Sequence, residues 1–180
     1  MSRIEKIAAC RPSAIILREK DLSPEEYLRL ALNVIKICEF YGVCCILHQN
    51  FEVAMKLGIK KIHLPLPIFR EMNSTDKKFF DVIGVSCHSL EELRVAENLG
   101  CTYVTAGHIF STDCKKNLEP RGINFLTKLH NIAKVPIFAI GGINAENISQ
   151  VQSVGVNGAC IMSNFMTCND IPNFMKNLLL

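Results

Sequence analysis

The sequence contains no tryptophan and little net charge, since 20 Lys and Arg residues face 17 Asp and Glu residues among 180. A net charge of +3, scattered along the chain, does not supply the basic surface that nucleic acids require. There is no run of about 18 or more apolar residues to span a membrane. The apolar start is interrupted at Arg11-Pro12, before a signal peptide could form. We therefore expect a cytoplasmic protein with neither nucleic acid nor membrane as a partner.

The nine cysteines lack the spacing of a metal site, because no Cys-x-x-Cys pair occurs. Cys44 and Cys45 are adjacent, and several others lie within apolar runs, where a free thiol packs as a small hydrophobic side chain. The odd number favours reduced thiols over a disulfide framework. From these residues we expect no metal site and no cofactor.

What the chain does have is the material for a core, with 49% hydrophobic and 21% charged residues. Its length and composition predict one domain over residues 1–180. Short, continuous apolar runs alternate with helical patterns, which is typical of parallel strands buried on both faces. The predicted strands are Ala14–Leu17, Val43–Leu47, Lys61–Leu64, Val82–Ser86, Tyr103–Ala106, Pro136–Ile140 and Gly158–Met162.

Capping sequences indicate where the helices between these strands begin. The stretch Ser23-Pro24-Glu25-Glu26 combines an N-cap serine, a proline at the first helical position and a glutamate three residues after the serine. The stretch Ser89-Leu90-Glu91-Glu92 repeats the serine and the glutamate. A later helix is expected to start at Asn144.

Strands that alternate with helices favour a parallel sheet, either a barrel or an open, doubly wound sheet. No Gly-x-Gly-x-x-Gly follows the first strand, which disfavours the dinucleotide-binding form of the open sheet. Most predicted strands end in polar residues or glycine, as at the active-site face of a barrel. We therefore predict an α/β fold of the TIM-type (β/α)8 barrel class. Seven strands are predicted, so the barrel lacks its first β-strand.

Two successive strand ends carry small or polar residues: Gly141-Gly142 and Ser163-Asn164. In TIM barrels the loops after the last two strands often bind phosphate through backbone N–H groups, and glycine lets the backbone approach the anion. A Gly-Gly pair alone would more often be a tight turn. Because both strand ends have this character, we predict a phosphate site made of Gly141, Gly142, Ser163 and Asn164.

Four segments carry a family resemblance: Ala14–Ser23 (AIILREKDLS), Gly84–Glu92 (GVSCHSLEE), Ala106–Lys116 (AGHIFSTDCKK) and Val135–Ile148 (VPIFAIGGINAENI). Together they resemble the thiamine phosphate synthase superfamily, whose fold is a (β/α)8 barrel. Chains of that superfamily begin with a strand and a helix before the Leu-Arg-Glu-Lys strand. Here residues Met1–Ala9 supply much of the helix, and no strand precedes it.

The synthase branch joins a pyrimidine diphosphate to a thiazole phosphate, and the resemblance implies magnesium held by aspartates. The pattern places Asn-Asp after one strand and Gln-x-Asp soon after the His-Leu of the next. The corresponding residues here are His48-Gln49 and Leu66-Pro67-Ile68. Because magnesium prefers oxygen ligands, usually carboxylates, both magnesium positions have lost their ligands. The synthase is therefore the alternative function.

The thiazole tautomerase branch resembles this chain more closely at a later strand end. It has Gly-His where the synthase has Gly-Pro, as in Gly107-His108, and an Arg-Gly further on, as in Arg121-Gly122. The resemblance implies that His108 is a general acid/base, a role that suits a side chain whose pKa lies near neutrality. The main prediction is thus a thiazole phosphate tautomerase, an isomerase whose partner is a phosphorylated small heterocycle.

Other polar residues are candidates for holding this substrate. Arg18 and Lys20 follow the first predicted strand and could bind a carboxylate. Lys115 lies in the polar loop Ser111–Gly122, which has the length and composition of an active-site lid. His48 occupies a position at which the synthase has a polar ligand contact. The alternative for His108 is a buried histidine bonded to a carbonyl group.

A third hypothesis is a non-catalytic, phospho-ligand-binding or regulatory relative of these enzymes. The missing strand also leaves three outcomes open. Another subunit of a homo-oligomer could fill the gap, the barrel could close with seven strands, or the chain could be partly degenerate.

Overall fold

The computed structural model of the protein describes residues 2–116 and 118–179. Strands and helices alternate along these residues, with a 3-10 turn at Asp113–Lys115. None of the helices they form is both long and apolar enough to cross a membrane. In chain order the elements are α1 (Arg3–Ala9), β1 (Ala14–Leu17), α2 (Pro24–Tyr41), β2 (Cys44–His48), α3 (Phe51–Lys56), β3 (Lys61–Pro65), α4 (Leu66–Glu71), α5 (Ser74–Phe79), β4 (Val82–Cys87), α6 (Leu90–Asn98), β5 (Tyr103–Gly107), α7 (Gly122–Ile132), β6 (Ile137–Ile140), α8 (Ile148–Val154), β7 (Gly158–Cys160), α9 (Ser163–Thr167) and α10 (Ile171–Leu179).

Strands β1, β2 and β3 pair in parallel in sequence order, and so do strands β4, β5, β6 and β7. Ala14 of β1 lies opposite Cys44 of β2, and Gly84 of β4 lies opposite Tyr103 of β5. Every predicted strand is present, with its ends within two residues of the expected positions. A parallel α/β fold with seven strands in the described residues is therefore confirmed. Closure of the barrel and a single domain over residues 1–180 stay predictions.

Serine side chains begin the helices that the capping sequences indicated. The Ser23 hydroxyl accepts a hydrogen bond from the Glu26 N–H at 3.3 Å, and the Glu26 carboxylate accepts one from the Ser23 N–H at 2.9 Å. At α6 the Ser89 hydroxyl accepts the Glu92 N–H at 3.0 Å, whereas the Glu92 carboxylate accepts the N–H of His88 at 2.6 Å. Both helices therefore start where their serines predict.

The described residues fall into two compact units. The first comprises Met1–Leu64 and Glu71–Ile83, and the second comprises Pro65–Arg70 and Gly84–Leu180. In the first unit β2 pairs with both β1 and β3, and α2 packs against β1 and β2. Its core consists of side chains from the helix and the strands: Tyr27, Ala31, Val34, Leu47 and Ile62.

In the second unit β5 pairs with β4 and β6, and β6 also pairs with β7. All five residues of β5 are buried, which explains why its sequence is continuously apolar or small rather than alternating. Helices α6, α7 and α8 turn their apolar sides inward. The core residues of these helices and strands are Leu93, Val104, Ala106, Leu126, Leu129, Ile137, Ala139 and Val151.

One helix of the second unit starts later than expected. The sequence predicts a start at Asn144, but α8 begins at Ile148. The Asn144 side chain accepts hydrogen bonds from the N–H groups of Glu146 and Asn147, at 2.9 and 3.2 Å, and so forms a turn. Asparagine competes with a helix in this way because its side chain satisfies backbone groups locally. The prediction of a helix N-terminus directly after the glycine pair is therefore wrong.

The close approach of Gly84 to Tyr103 generates a stability prediction. A Cβ atom added at Gly84 would lie 2.0 Å from Cζ of Tyr103, so the ring would have to move. We expect Gly84→Ala to lower the free energy of unfolding by about 1–3 kcal/mol, measured by urea denaturation. Gly158→Ala is the matched control, because its Cβ would lie 3.1 Å from the ring of Phe138. Equal losses in the two variants would contradict this explanation.

Candidate active site

The carboxyl ends of β1, β2 and β3 carry the polar side chains of the first unit. Parallel strands end at the same edge of a sheet, so residues that follow them lie near one another. Arg18 and Lys20 follow β1 and are exposed, whereas His48 ends β2 and lies opposite His63 of β3. Together with Tyr27 of α2, these four residues form what we call the strand-end cluster.

The hydroxyl group of Tyr27 joins the strands that carry this cluster. It donates a hydrogen bond to the Leu17 carbonyl at 2.8 Å and accepts one from the His48 N–H at 3.0 Å. The side chain is fully buried, and this burial raises the pKa of Tyr27 to about 12. The phenol therefore keeps its proton near neutral pH. One side chain of α2 thus fixes the ends of β1 and β2, where Arg18 and His48 are located.

The rings of His48 and His63 stack on each other inside the first unit. Their centroids are 5.7 Å apart and their planes differ by 22°. Burial, followed by the charges of Arg18 and Lys20, lowers the pKa of His48 to about 4. Burial, followed by His48, lowers the pKa of His63 to about 3. Both imidazoles are therefore uncharged near neutral pH, and the positive charge of the cluster comes from Arg18 and Lys20.

The residues in the two magnesium positions do not fit that ion. The first position holds His48-Gln49 and the second Leu66-Pro67-Ile68, so neither provides a carboxylate. Magnesium binds oxygen ligands, whereas imidazole suits zinc, copper, iron and nickel. Within residues 2–116 and 118–179, no three His, Cys, Asp or Glu side chains lie together as a metal site would need. The ligand chemistry of this chain thus differs from what the family resemblance implies.

In the second unit the Gly141-Gly142 turn packs directly on the segment that follows β5. A Cβ atom at Gly141 would lie 2.3 Å from Cβ of His108, and one at Gly142 would lie 2.3 Å from the carbonyl oxygen of Ser111. Both glycines have positive φ angles, +101° and +66°. The Phe110 N–H also donates to the Gly141 carbonyl at 3.0 Å. Close packing accounts for both glycines, and their phosphate role stays a prediction.

Two asparagine side chains hold the backbone at this turn. Nδ2 of Asn147 donates to the Gly142 carbonyl at 2.9 Å, and Nδ2 of Asn164 donates to the Ile143 carbonyl at 3.1 Å. Asn164 follows Ser163, the exposed first residue of α9. The structure therefore places Asn164 at the glycine turn. The sequence predicts that Asn164 and the two glycines belong to one phosphate site.

His108 is buried directly after β5, with 5% of its surface exposed. Its Nε2 donates a hydrogen bond to the Leu118 carbonyl oxygen, at a distance of 3.2 Å. The Arg121 N–H donates to the His108 carbonyl at 2.9 Å. This is the buried, carbonyl-bonded histidine that the sequence left as the alternative. Through these bonds His108 holds the following loop to the end of the strand.

The sequence predicts that the loop Ser111–Gly122 is a lid, and that role stays a prediction; Asn117 lies outside the described residues. Lys115 is half-buried in its 3-10 turn, and its N–H donates to the Thr112 carbonyl at 3.0 Å. Lys116 and Asp113 form an ion pair of 3.3 Å that is largely exposed and so contributes little stability. The residues around a shallow depression of about 320 Å³ are Ser111, Thr112, Asp113 and Lys116.

His88 is a residue whose position the sequence did not reveal. Its Nδ1 donates to the Gly107 carbonyl at 2.6 Å and so joins the loop after β4 to the end of β5. It directly follows β4, and site residues of such folds gather at these strand ends. Its position after a predicted strand is therefore the feature of the sequence that could have identified it. His88 therefore belongs to the same strand edge as His108.

The predicted site residues thus lie in two groups. Arg18, Lys20 and His48 belong to the strand-end cluster of the first unit. The others lie in the second unit, where His108, Gly141, Gly142 and Asn164 surround one turn, while Lys115 is in the loop and Ser163 starts α9. As a catalytic site, this set stays a prediction.

Comparison with known proteins identifies the family. The sequence matches the family model described as thiamine monophosphate synthase over residues 1–165. The chain belongs to the thiamine monophosphate synthase family. The suspected superfamily is thereby confirmed, whereas the closer resemblance to its tautomerase branch is not.

Relatives in this family carry the synthase name. The thiamine-phosphate synthase of Fusobacterium nucleatum is 32% identical over 166 residues, which are 91% of this chain and 80% of that protein. The thiamine-phosphate synthase of Clostridium acetobutylicum is 34% identical over 162 residues, which are 87% of this chain and 75% of that protein. These relatives contradict the main prediction, a thiazole phosphate tautomerase, and favour its alternative. The resemblance to the tautomerase branch depends on few residues, above all Gly107-His108, whereas the synthases match most of the chain.

Solved structures show the same fold. Thiamine phosphate pyrophosphorylase from Pyrococcus furiosus superposes with a TM-score of 0.84 at 24% identity, over 98% of this chain and 86% of that one. A 3-hexulose-6-phosphate synthase superposes with a TM-score of 0.74 at 15% identity, over 98% and 91% of the two chains. These likenesses confirm the coarser form of the fold prediction, a TIM-like parallel α/β class with seven described strands.

The bridge made by Tyr27 generates a first prediction for the site. Tyr27→Phe removes the hydroxyl that the Leu17 carbonyl and the His48 N–H share, and it leaves two buried backbone groups without this partner. We expect a loss of about 1–3 kcal/mol in the free energy of unfolding, measured by urea denaturation. Tyr41→Phe, at the half-buried last residue of α2, is the matched control and should change stability much less, because within the described residues no hydrogen bond to its hydroxyl joins two strands. A Tyr27→Phe protein as stable as the parent would contradict the bridging role.

The lowered pKa values of His48 and His63 generate a second prediction, on pH dependence. In the unfolded chain both histidines take up a proton near the ordinary pKa of 6.5. In the folded protein His48 takes up its proton only near pH 4 and His63 only near pH 3. Stability is therefore fully present above pH 6.5 and is lost as the pH falls toward the folded pKa values. From pH 6.5 downward we expect each histidine to lower the free energy of unfolding by up to about 1.4 kcal/mol per pH unit.

Urea denaturation at a series of pH values down to about 5 measures this slope before most carboxylates titrate. His63→Gln should make the slope shallower even where it also lowers stability at neutral pH. If the parent and His63→Gln proteins have the same slope, His63 is not held neutral in the folded state.

Proposed function

We propose that the protein is a thiamine-phosphate synthase, a transferase that joins a pyrimidine diphosphate to a thiazole phosphate. Family membership and the names of its relatives support the reaction. The observation that carries the proposal is the strand-end cluster, in which Leu17 of β1 pairs with Leu47 of β2, so that exposed Arg18 and Lys20 follow the strand next to His48. Burial, followed by these two charges, lowers the pKa of His48 to about 4, so its ring adds no charge near neutral pH. This arrangement suits an anion rather than a cation, and a diphosphate is the most highly charged group in the proposed substrates.

Charge explains why a diphosphate suits this cluster. The guanidinium of Arg18 can donate two parallel hydrogen bonds to phosphate oxygens, and the ammonium of Lys20 adds a mobile point charge. Tyr27 donates a hydrogen bond to the carbonyl of Leu17, the residue before Arg18, and so fixes the backbone that carries the Arg18 side chain. The side chains therefore leave a rigid strand end, which favours a defined binding geometry.

The same two cations would act on the chemical step. A bond forms between the pyrimidine methylene carbon and the thiazole nitrogen, while the bond from that carbon to the diphosphate oxygen breaks. The diphosphate leaves with the electron pair, so negative charge grows on the oxygen that was bonded to the methylene carbon. Fixed cations stabilise such growing charge more than they stabilise the ground state, because they need no reorganisation.

For the thiazole phosphate we propose the second-unit group, Gly141, Gly142, Ser163 and Asn164, with Lys115 as a further cation. The positive φ angles of both glycines and the position of Asn164 at their turn support this assignment. His108 then acts as a positioning residue that anchors the loop carrying Lys115. A closed TIM-type barrel working in the cytoplasm, alone or as a homo-oligomer, completes the proposal.

The condensation itself tests this function. We expect the purified protein to form thiamine phosphate from the two substrates, detected by chromatography. Arg18→Ala and Lys20→Ala should each lower kcat/KM about 10–100-fold, since each removes a charged hydrogen bond to the diphosphate. Lys36→Ala removes an equally exposed charge from α2 and should stay within about twofold of the parent. An inactive parent protein that is folded would contradict the proposal.

A second candidate, a non-catalytic phospho-ligand-binding relative, is favoured by one observation, the absence of both magnesium carboxylates from their positions. It predicts binding of inorganic pyrophosphate without condensation. The assay therefore separates the two functions: thiamine phosphate formation excludes the second candidate, and pyrophosphate binding by an inactive, folded protein supports it.

A further inference from the structure

The strand-end cluster presents positive charge where a magnesium site needs negative charge. Leu17 of β1 pairs with Leu47 of β2, so the exposed Arg18 and Lys20 follow the strand that neighbours the one ending at His48. Glu19, between the two cations, is also exposed. Asp21, which follows Lys20, is exposed as well, but neither carboxylate belongs to the two magnesium positions, His48-Gln49 and Leu66-Pro67-Ile68. A divalent cation placed at positions 48 and 49 would therefore find no carboxylate there and would have Arg18 and Lys20 after the neighbouring strand.

His48 also occupies one of the positions from which metal ligands would come, and the ring of His63 stacks on it. His48 and His63 are 6% and 3% exposed, and their stacked rings lie side by side on the neighbouring strands β2 and β3. The next residue, Gln49, stands in the aspartate position and has a φ angle of +67°. An amide oxygen is a neutral ligand, so it would return less energy than a carboxylate to an ion that loses water reluctantly.

We infer that the strand-end cluster binds a diphosphate group without a divalent cation, with Arg18 and Lys20 providing the counter-charge that magnesium would otherwise provide. This inference rests on the proposed function, because it concerns the diphosphate of the same substrate. It goes beyond that function by giving this chain a binding mode different from the one its family resemblance implies. The difference is determined by the residues in the two magnesium positions, because Arg18 and Lys20 belong to the Leu-Arg-Glu-Lys strand end that this chain shares with the superfamily.

Calorimetric titration with inorganic pyrophosphate tests the inference without any catalytic readout. The full-length protein is titrated once in EDTA and once in excess magnesium chloride. We expect dissociation constants that agree within about threefold, or weaker binding in magnesium, because the free anion carries more charge for Arg18 and Lys20 to bind. Binding that is tighter in magnesium by about tenfold or more would overturn the inference.

Two single variants locate the binding. Arg18→Ala should weaken pyrophosphate binding about 10-fold or more in both buffers, because the counter-charge comes from the protein. Lys36→Ala, which removes an exposed charge from α2, should leave both dissociation constants within about twofold. Equal weakening by the two substitutions would mean non-specific attraction and would overturn the inference.

A double variant tests the residues that determine the binding mode. His48→Asn with Gln49→Asp restores the Asn-Asp pair of the resembling synthases. It should make binding tighter in magnesium than in EDTA by about tenfold, since a carboxylate then becomes available to the ion. If the double variant is as indifferent to magnesium as the parent, positions 48 and 49 do not determine the mode and the inference is overturned. Circular dichroism of each variant checks that the fold is kept.

The outcomes separate this inference from the proposed function. Pyrophosphate binding that needs magnesium overturns only the metal-free mode and leaves the synthase proposal intact. An absence of binding in both buffers overturns the diphosphate site at this cluster and the metal-free mode, whereas the condensation assay decides the synthase proposal.

Discussion

The strand-end cluster depends on one hydroxyl group, that of Tyr27. A buried phenol must satisfy both its donor and its acceptor, and here the partners are the Leu17 carbonyl and the His48 N–H on two different strands. The Tyr27 N–H in turn donates to the Ser23 carbonyl at 2.8 Å, within the first turn of α2. The capping serine that starts the helix therefore also places the side chain that aligns the strands. The short sequence Ser23–Tyr27 thus defines a helix start and a binding edge together.

The strands could be predicted because their signal is local. Continuous apolar runs of four to six residues, such as β1 and β5, have few structures open to them once helices alternate with them. The start of α8 could not be predicted from the same patterns, since the Asn144 side chain competes with the helix for backbone N–H groups. Neither could the contacts that build the site. Tyr27 and His48 are 21 residues apart, and His88 and Gly107 are 19 apart, so only the folded chain shows that they meet.

His108 shows what the folded chain adds to a local motif. In the sequence, a histidine at a strand end beside a cationic loop suggests proton transfer. In the structure its ring donates to a loop carbonyl, and the glycine turn packs so closely on residues 108–111 that a Cβ atom at Gly141 or Gly142 would collide with them. Two residues of similarity to one branch weighed less than similarity along more than four-fifths of the chain. The replacement of the synthase Asn-Asp pair by residues 48 and 49 concerns how a diphosphate would be bound. Family membership concerns which reaction is proposed.

The uncharged histidine pair has a consequence for how ligand preference can change in this protein. Two strands and a helix give the edge its shape, and its charge comes from the consecutive residues Arg18, Glu19 and Lys20. Exposed positions tolerate substitution far better than the core around Tyr27 does. The shape and the charge of this edge therefore depend on different residues. Substitution of Arg18 and Lys20 alone could make the edge neutral or acidic while the backbone of the strands keeps its position.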